Sequence, residues 1–130
     1  MNRGIVRKSF LVLFGLFFLA AVYPIAMYLR QPGNEPPGDT MMLSLYFAMG
    51  VFLLLAARNP SAHRSLIAYA GWANVAHAVV MALMAVHPAS DRKGLLSGVA
   101  LAGFIGVVLI ALVPAKESAA LSSSAAQLSR

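Results

Sequence analysis

Residues 65–86 read SLIAYAGWANVAHAVVMALMAV, 22 positions without a lysine, arginine, aspartate or glutamate. A helix needs about 20 mostly apolar residues to cross the hydrocarbon core of a bilayer, so this stretch reads as a membrane span. Three more stretches have the same property: Ser9–Leu29, Thr40–Ala57 and Gly94–Ala115 hold 21, 18 and 22 residues without one such charge. Lipid offers the backbone no hydrogen-bond partners, which leaves the helix as the spanning form for a chain patterned this way. The expected fold is all-α, an integral membrane four-helix up-down bundle. It occupies 1–115, with spans at about 9–29, 40–57, 63–86 and 94–115, and an Ala- and Ser-rich cytoplasmic tail follows over 116–130. That tail has little to bury and is expected to be disordered, or weakly helical at the membrane surface. No period of 20 to 50 residues is recognisable along the chain.

Composition agrees with the spans. Of 130 residues, 60% are hydrophobic and only 11% charged, too few charges to clothe a soluble domain. The formal charge of +6 sits at the span ends, where anionic lipid headgroups lie, and no nucleic-acid partner is expected. The absence of cysteine excludes disulfides, thiolate catalysis, iron–sulfur ligation and cysteine-based zinc sites. The basic start before Phe10 resembles a secretory signal, but its apolar run continues to Leu29. A signal core is about 7–15 residues long, so an uncleaved first span is expected.

Positive residues are retained on the cytoplasmic side. With the N-terminus inside, that side collects Arg3, Arg7, Lys8, Arg58, Arg64, Lys116 and Arg130, against Arg30, Arg92 and Lys93 outside. Seven against three places both termini in the cytoplasm. The outer loop Gln31–Gly38 contains three prolines, which deny it helix. The inner connection Arg58-Asn59-Pro60-Ser61 sets an N-cap residue before a proline and predicts a tight antiparallel hairpin of spans two and three. Ser90 or Asp91 is expected to cap the fourth span.

Lipid tails are as apolar as leucine, so spans associate through close packing of small residues. Gly94, Gly98, Ala102 and Gly106 recur every fourth residue and form such a face, read as packing within the chain in preference to a second copy. In the first span, Pro24 deprives the Ala20 carbonyl of its usual donor and predicts a bend.

His77 is the single histidine, lysine, arginine, aspartate or glutamate inside the four uncharged stretches, and an intramembrane titratable group is by default a functional candidate. At about 100° per residue, His63, Ile67, Ala70, Asn74, His77, Met81 and Met84 project from one side of the third helix. His63 and His77 are about 21 Å apart along the axis, too far to share an ion. Matching depths across the hairpin brings Ser44, Tyr46 and Phe47 level with His77.

Three readings stay open. In the first, neutral His77, Asn74 and a hydroxyl of Tyr46 or Ser44 hydrogen-bond between helices, each bond contributing about 0.6 kcal/mol. In the second, His77 serves a small pocket for a quinone or a singly ligated haem, with Trp72, Tyr46, Phe47 and methionines as walls. The third is Cu(I) held by His77 and Met81 with Met84 or Met42, imidazole and thioether being suitable ligands. No carboxylate lies within a span, which argues against proton-coupled transport and two-acid hydrolysis. His87 and Asp91 with Glu35 or Asp39 form a weaker candidate metal set at the outer surface, and Arg58, His63 and Arg64 are expected to contact lipid phosphate or a partner.

The stretch Phe52–Pro60, followed by His63-Arg64-Ser65-Leu66-Ile67, Trp72 and His77–Met81, resembles an uncharacterised bacterial family of small four-span membrane proteins. In span number and length the chain also resembles DoxX-type proteins, some of which are accessory subunits of quinone-linked oxidoreductases. The resemblance implies a bacterial inner membrane and assigns no reaction. The expected role is a non-enzymatic accessory or scaffolding subunit, without a required cofactor, that partners the bilayer and other membrane subunits or a second copy. The alternative is a redox-linked or ligand-binding subunit with haem, quinone or Cu(I) at His77.

Overall fold

Each connection in this chain is set by a residue that ends or starts a helix. In the computed structural model, which describes residues 2–31, 33, 37–88, 90–115 and 125–129, Asn2 accepts a bond from the Gly4 N–H (3.0 Å) and opens α1, Arg3–Leu19. After a break, α2 covers Val22–Arg30, and α3 runs over Pro37–Arg58. Asn59 accepts from the Ala62 N–H (3.4 Å) and starts a 3₁₀ turn, Pro60–His63, that leads into α4, Arg64–Val86. Asp91, and not Ser90, caps α5, Arg92–Ala111, through the Gly94 N–H (3.0 Å). Most of the tail, residues 116–124 and 130, and the acidic Glu35 lie outside the described residues; 125–128 form one helical turn.

The α1–α2 break falls at Ala20 and Ala21, where the backbone passes through ψ of −18°. Pro24 has no N–H to offer Ala20, yet the carbonyl is satisfied: it accepts from the Tyr23 N–H at 3.1 Å, one residue short of the α pattern. Arg3–Arg30, Gly38–Arg58, Pro60–Val86 and Arg92–Ala111 are the four helical stretches long and apolar enough to cross a membrane among the described residues. The chain is a multi-pass membrane protein. The first rod begins six residues before the expected Ser9, because a helix continues into the headgroup layer while its arginines and lysine reach water. The last ends at Ala111 instead of Ala115, where Pro114 withholds the next donor.

The expected tight hairpin of α3 and α4 is corrected. The extensive packing is of α1 on α3 and of α4 on α5, whereas α3 and α4 touch sparsely despite their short link. Glycines decide this. A methyl on Gly50 would lie 2.7 Å from the Gly15 carbonyl oxygen, and one on Gly106 would lie 2.8 Å from that of Gly71. Two backbone-to-backbone crossings therefore tie the rods into two hairpins.

The hairpins repeat one another. Gly71 and Gly106 follow Gly15 and Gly50 by 56 residues, and the same shift relates Ser9 to Ser65, Leu11 to Ile67, Pro32 to Pro88, Gly38 to Gly94, Leu45 to Leu101, Val51 to Val107 and Leu53 to Leu109. Burial follows the shift: Leu11, Ile67, Leu53 and Leu109 are all fully enclosed. This period is longer than 20 to 50 residues, and it is written mainly in small residues.

Between the hairpins, Leu11, Phe14, Phe18, Leu53, Ala56, Ala57, Ile67, Ala70, Ile105 and Leu109 form one core. It is densest toward the end that carries Arg58. There Pro60 and Pro114 are buried, Arg7 Nε donates to the Leu112 carbonyl (2.8 Å), and Arg64 Nε donates to that of Pro114. These guanidinium groups also satisfy and offset the negative carbonyl end of α5.

Candidate functional site

Packing changes along the bundle. Beyond the core, toward the end that carries Asp91, the hairpins part around a cavity of about 350 Å³. Phe17, Phe18, Ala20, Ala21 and Pro24 line it from the first rod, Leu43 and Tyr46 from α3, Asn74, His77 and Met81 from α4, and Gly98, Leu101, Ala102 and Ile105 from α5. The break before Pro24 lies in the first wall: α1 buries Leu11, Phe14, Gly15 and Phe18, whereas α2 buries no residue and packs on α3 less extensively than α1 does.

Three polar side chains meet this space. Asn74, 1% exposed, donates through Nδ2 to the Ala70 carbonyl one turn earlier (2.8 Å) and lies 3.6 Å from the Met49 sulfur on α3. Among the described residues His77 makes no hydrogen bond. Its ring instead meets the Tyr46 ring edge-on, with centroids 5.6 Å apart at 73°, and Tyr46 stacks on Phe18 at 5.2 Å. Phe18, Tyr46 and His77 thus form a row of rings across α1, α3 and α4. No buried side-chain nitrogen or oxygen lacks a partner among the described residues, so the unbonded His77 nitrogens are not fully enclosed, and the residue lines the cavity.

The expected inter-helix hydrogen-bond network is therefore not what the structure contains. Ser44 donates to the Met41 carbonyl of its own helix (2.6 Å), Asn74 bonds mainly to its own helix, and His77 contacts Tyr46 through ring packing. Helical rotation also removes Trp72 from the expected wall: it lies 62% exposed on the outer face of α4, as does Met84. Met42 is exposed as well and does not line the cavity, which leaves His77 and Met81 as its imidazole–thioether pair among the described residues.

The small-residue face of α5 divides its labour. Gly106 crosses the Gly71 backbone, Ala102 is buried, Gly98 receives the Met81 side chain, and Gly94 lies beneath the Asp91 cap. Gly71, Gly15 and Gly50 are packing residues that the helical patterns did not single out; the signal was the 56-residue shift, which relates Gly50 to Gly106 of the α5 stripe and Gly15 to Gly71. At the Arg58 end, His63 Nδ1 pairs with the Asn59 carbonyl (2.9 Å), and Arg58 is exposed. At the opposite end His87 Nδ1 pairs with the Leu83 carbonyl (3.0 Å), and among the described residues no three His, Asp or Glu side chains are grouped to hold a metal.

Chemically, the cavity offers an imidazole with one donor and one acceptor, a phenol and an amide oxygen in apolar surroundings. No carboxylate, lysine or arginine lines it, which leaves haem propionates without cationic partners. A ring bearing one or two hydrogen-bond acceptors suits it better. A family of unknown function, DUF6632, matches residues 5–130, hence both hairpins. The chain belongs to the DUF6632 family. No curated protein and no solved structure matches the chain. Membership in DUF6632 assigns no chemistry, so the functional argument rests on the cavity.

Proposed function

We propose that this protein is a non-enzymatic subunit of a membrane complex whose bundle holds a small, lipid-soluble ligand, with His77 as the hydrogen-bonding anchor. The observation that carries the reading is His77 itself: a titratable side chain at mid-span, without a hydrogen-bond partner among the described residues, on the wall of a cavity. A polar group left this way in lipid is costly, and a ligand acceptor satisfies it. A quinone ring fits the donors available. The likeness in span number and length to DoxX-type accessory subunits supports placement beside a redox enzyme in a bacterial inner membrane, and the seven-to-three distribution of lysine and arginine supports both termini being cytoplasmic.

Purification in mild detergent, followed by extraction and absorption spectroscopy, tests this. The expected result is near-stoichiometric quinone or a related apolar ring compound in the wild type and its loss in His77→Leu. Wild-type and His77→Leu protein both free of such a compound, and both unable to bind added quinone, would overturn the ligand reading and leave a scaffold. Copper in place of quinone, lost in Met81→Leu, would favour the His77–Met81 pair as a Cu(I) site.

A further inference from the structure

We infer that the cavity is entered sideways from the bilayer, between the α1–α2 break and α5, and that its ligand is an amphiphile whose ring lies inside while its alkyl or isoprenoid tail remains in lipid. This rests on the ligand reading of His77 and adds the class of ligand and its route. The wall formed by α3 and α4 is the less exposed one: Asn74 is buried, and Leu43, Tyr46, His77 and Met81 are only partly exposed. Exposure is greatest at the opposite edge. Phe17 and Leu101 are each 47% exposed, and Ala20 and Pro24 are exposed beside them. Neither α1 nor α2 packs extensively on α5, so close helix packing does not seal this edge among the described residues.

Depth selects the occupant. Leu101 lies nine residues into the 20-residue α5, which puts the mouth near the middle of a rod about 30 Å long. At the Arg58 end the core and the two buried prolines close the path. Toward the other end the last lining residues, Pro24, Leu43, Met81 and Gly98, stop about 7–9 Å short of the helix termini, and every one is apolar. A water-soluble ligand has no polar path inward; a lipid-phase one meets an apolar doorway. A volume of about 350 Å³ is near the lower end of ligand sites, room for one ring but not for a long tail.

The chain has no cysteine, which permits a reversible gate. Phe17→Cys and Leu101→Cys are introduced together, joined by a disulfide-containing bis-maleimide, and the protein is placed in nanodiscs. Binding of radiolabelled decyl-benzoquinone is counted as the excess over His77→Leu nanodiscs. The expected result is an association rate at least tenfold lower in the bridged protein than in the same double-cysteine protein after reduction, whereas each single-cysteine variant carrying the reagent shows no such rise on reduction. An unchanged rate across the bridge overturns the lateral route while leaving the His77 site standing. Failure of the wild-type protein to bind at all overturns the underlying ligand reading, and the route with it.

Discussion

The two hairpins share one frame but carry different interiors. At equivalent positions, Phe18 of the first corresponds to Asn74 of the second, Ala21 to His77, and Tyr46 to Ala102. The first rod is broken before Pro24, whereas α4 runs unbroken for 23 residues. Packing positions were kept in both halves: Leu11 and Ile67, Leu53 and Leu109, and the two glycine pairs. Shape is therefore set by what the halves have in common, and the candidate site by where they differ. The first hairpin supplies a mostly apolar wall with the Tyr46 phenol, and the second supplies the imidazole and the amide.

The comparison breaks most severely at the crossings. Gly50→Val and Gly106→Val each place side-chain atoms within a neighbouring backbone, where relief requires the helices to separate. A loss of about 3 kcal/mol or more is expected for both, measured by denaturation in detergent. A large loss at one glycine alone would show that the hairpins are not equivalent in energy.

Exchanging the interiors should have a smaller effect. Phe18→Asn removes the ring stacked on Tyr46 and buries an amide, an expected cost of about 2 kcal/mol. Asn74→Phe requires space beside Met49 and should also destabilise, while abolishing quinone binding. Wild-type stability of Phe18→Asn would show that the two interiors are interchangeable.

Pro24→Leu supplies Ala20 with its missing donor and should straighten the first rod. A fall in ligand affinity of about tenfold is expected, with thermal stability maintained or raised; unchanged affinity would mean the break does not shape the cavity.

At the low end, His77→Leu should alter thermal stability by less than about 0.5 kcal/mol, because no hydrogen bond is lost, while removing ligand. Trp72→Leu should change neither, since Trp72 faces outward. A quinone-binding defect in Trp72→Leu would place the site on the other side of α4.

Much of the fold was legible in the chain because length, apolarity and capping residues act locally. The four uncharged stretches, the Asn59 and Asp91 caps and the disturbance at Pro24 each depend on a few neighbouring residues. The helical stripe also identified Asn74, His77 and Met81, since residues three or four apart share a face. The same wheel misplaced Met84, and Trp72 was assigned to a wall it does not face: a stripe gives relative direction, while rotation about the helix axis depends on the partner. Pairing was misjudged as well. A short link suggested that α3 and α4 would pack tightly, but backbone proximity at Gly15–Gly50 and Gly71–Gly106 outweighed it.

What the sequence by itself determined is the solvent and the number of crossings, because transfer of uncharged segments into lipid is a sum over individual residues. What only the tertiary structure decided is which rods meet, that they do so as two repeated hairpins, and that a cavity opens beside His77. Those follow from close packing, which depends on the shapes of surfaces far apart in the chain and on small residues whose effect is visible only when another backbone lies against them.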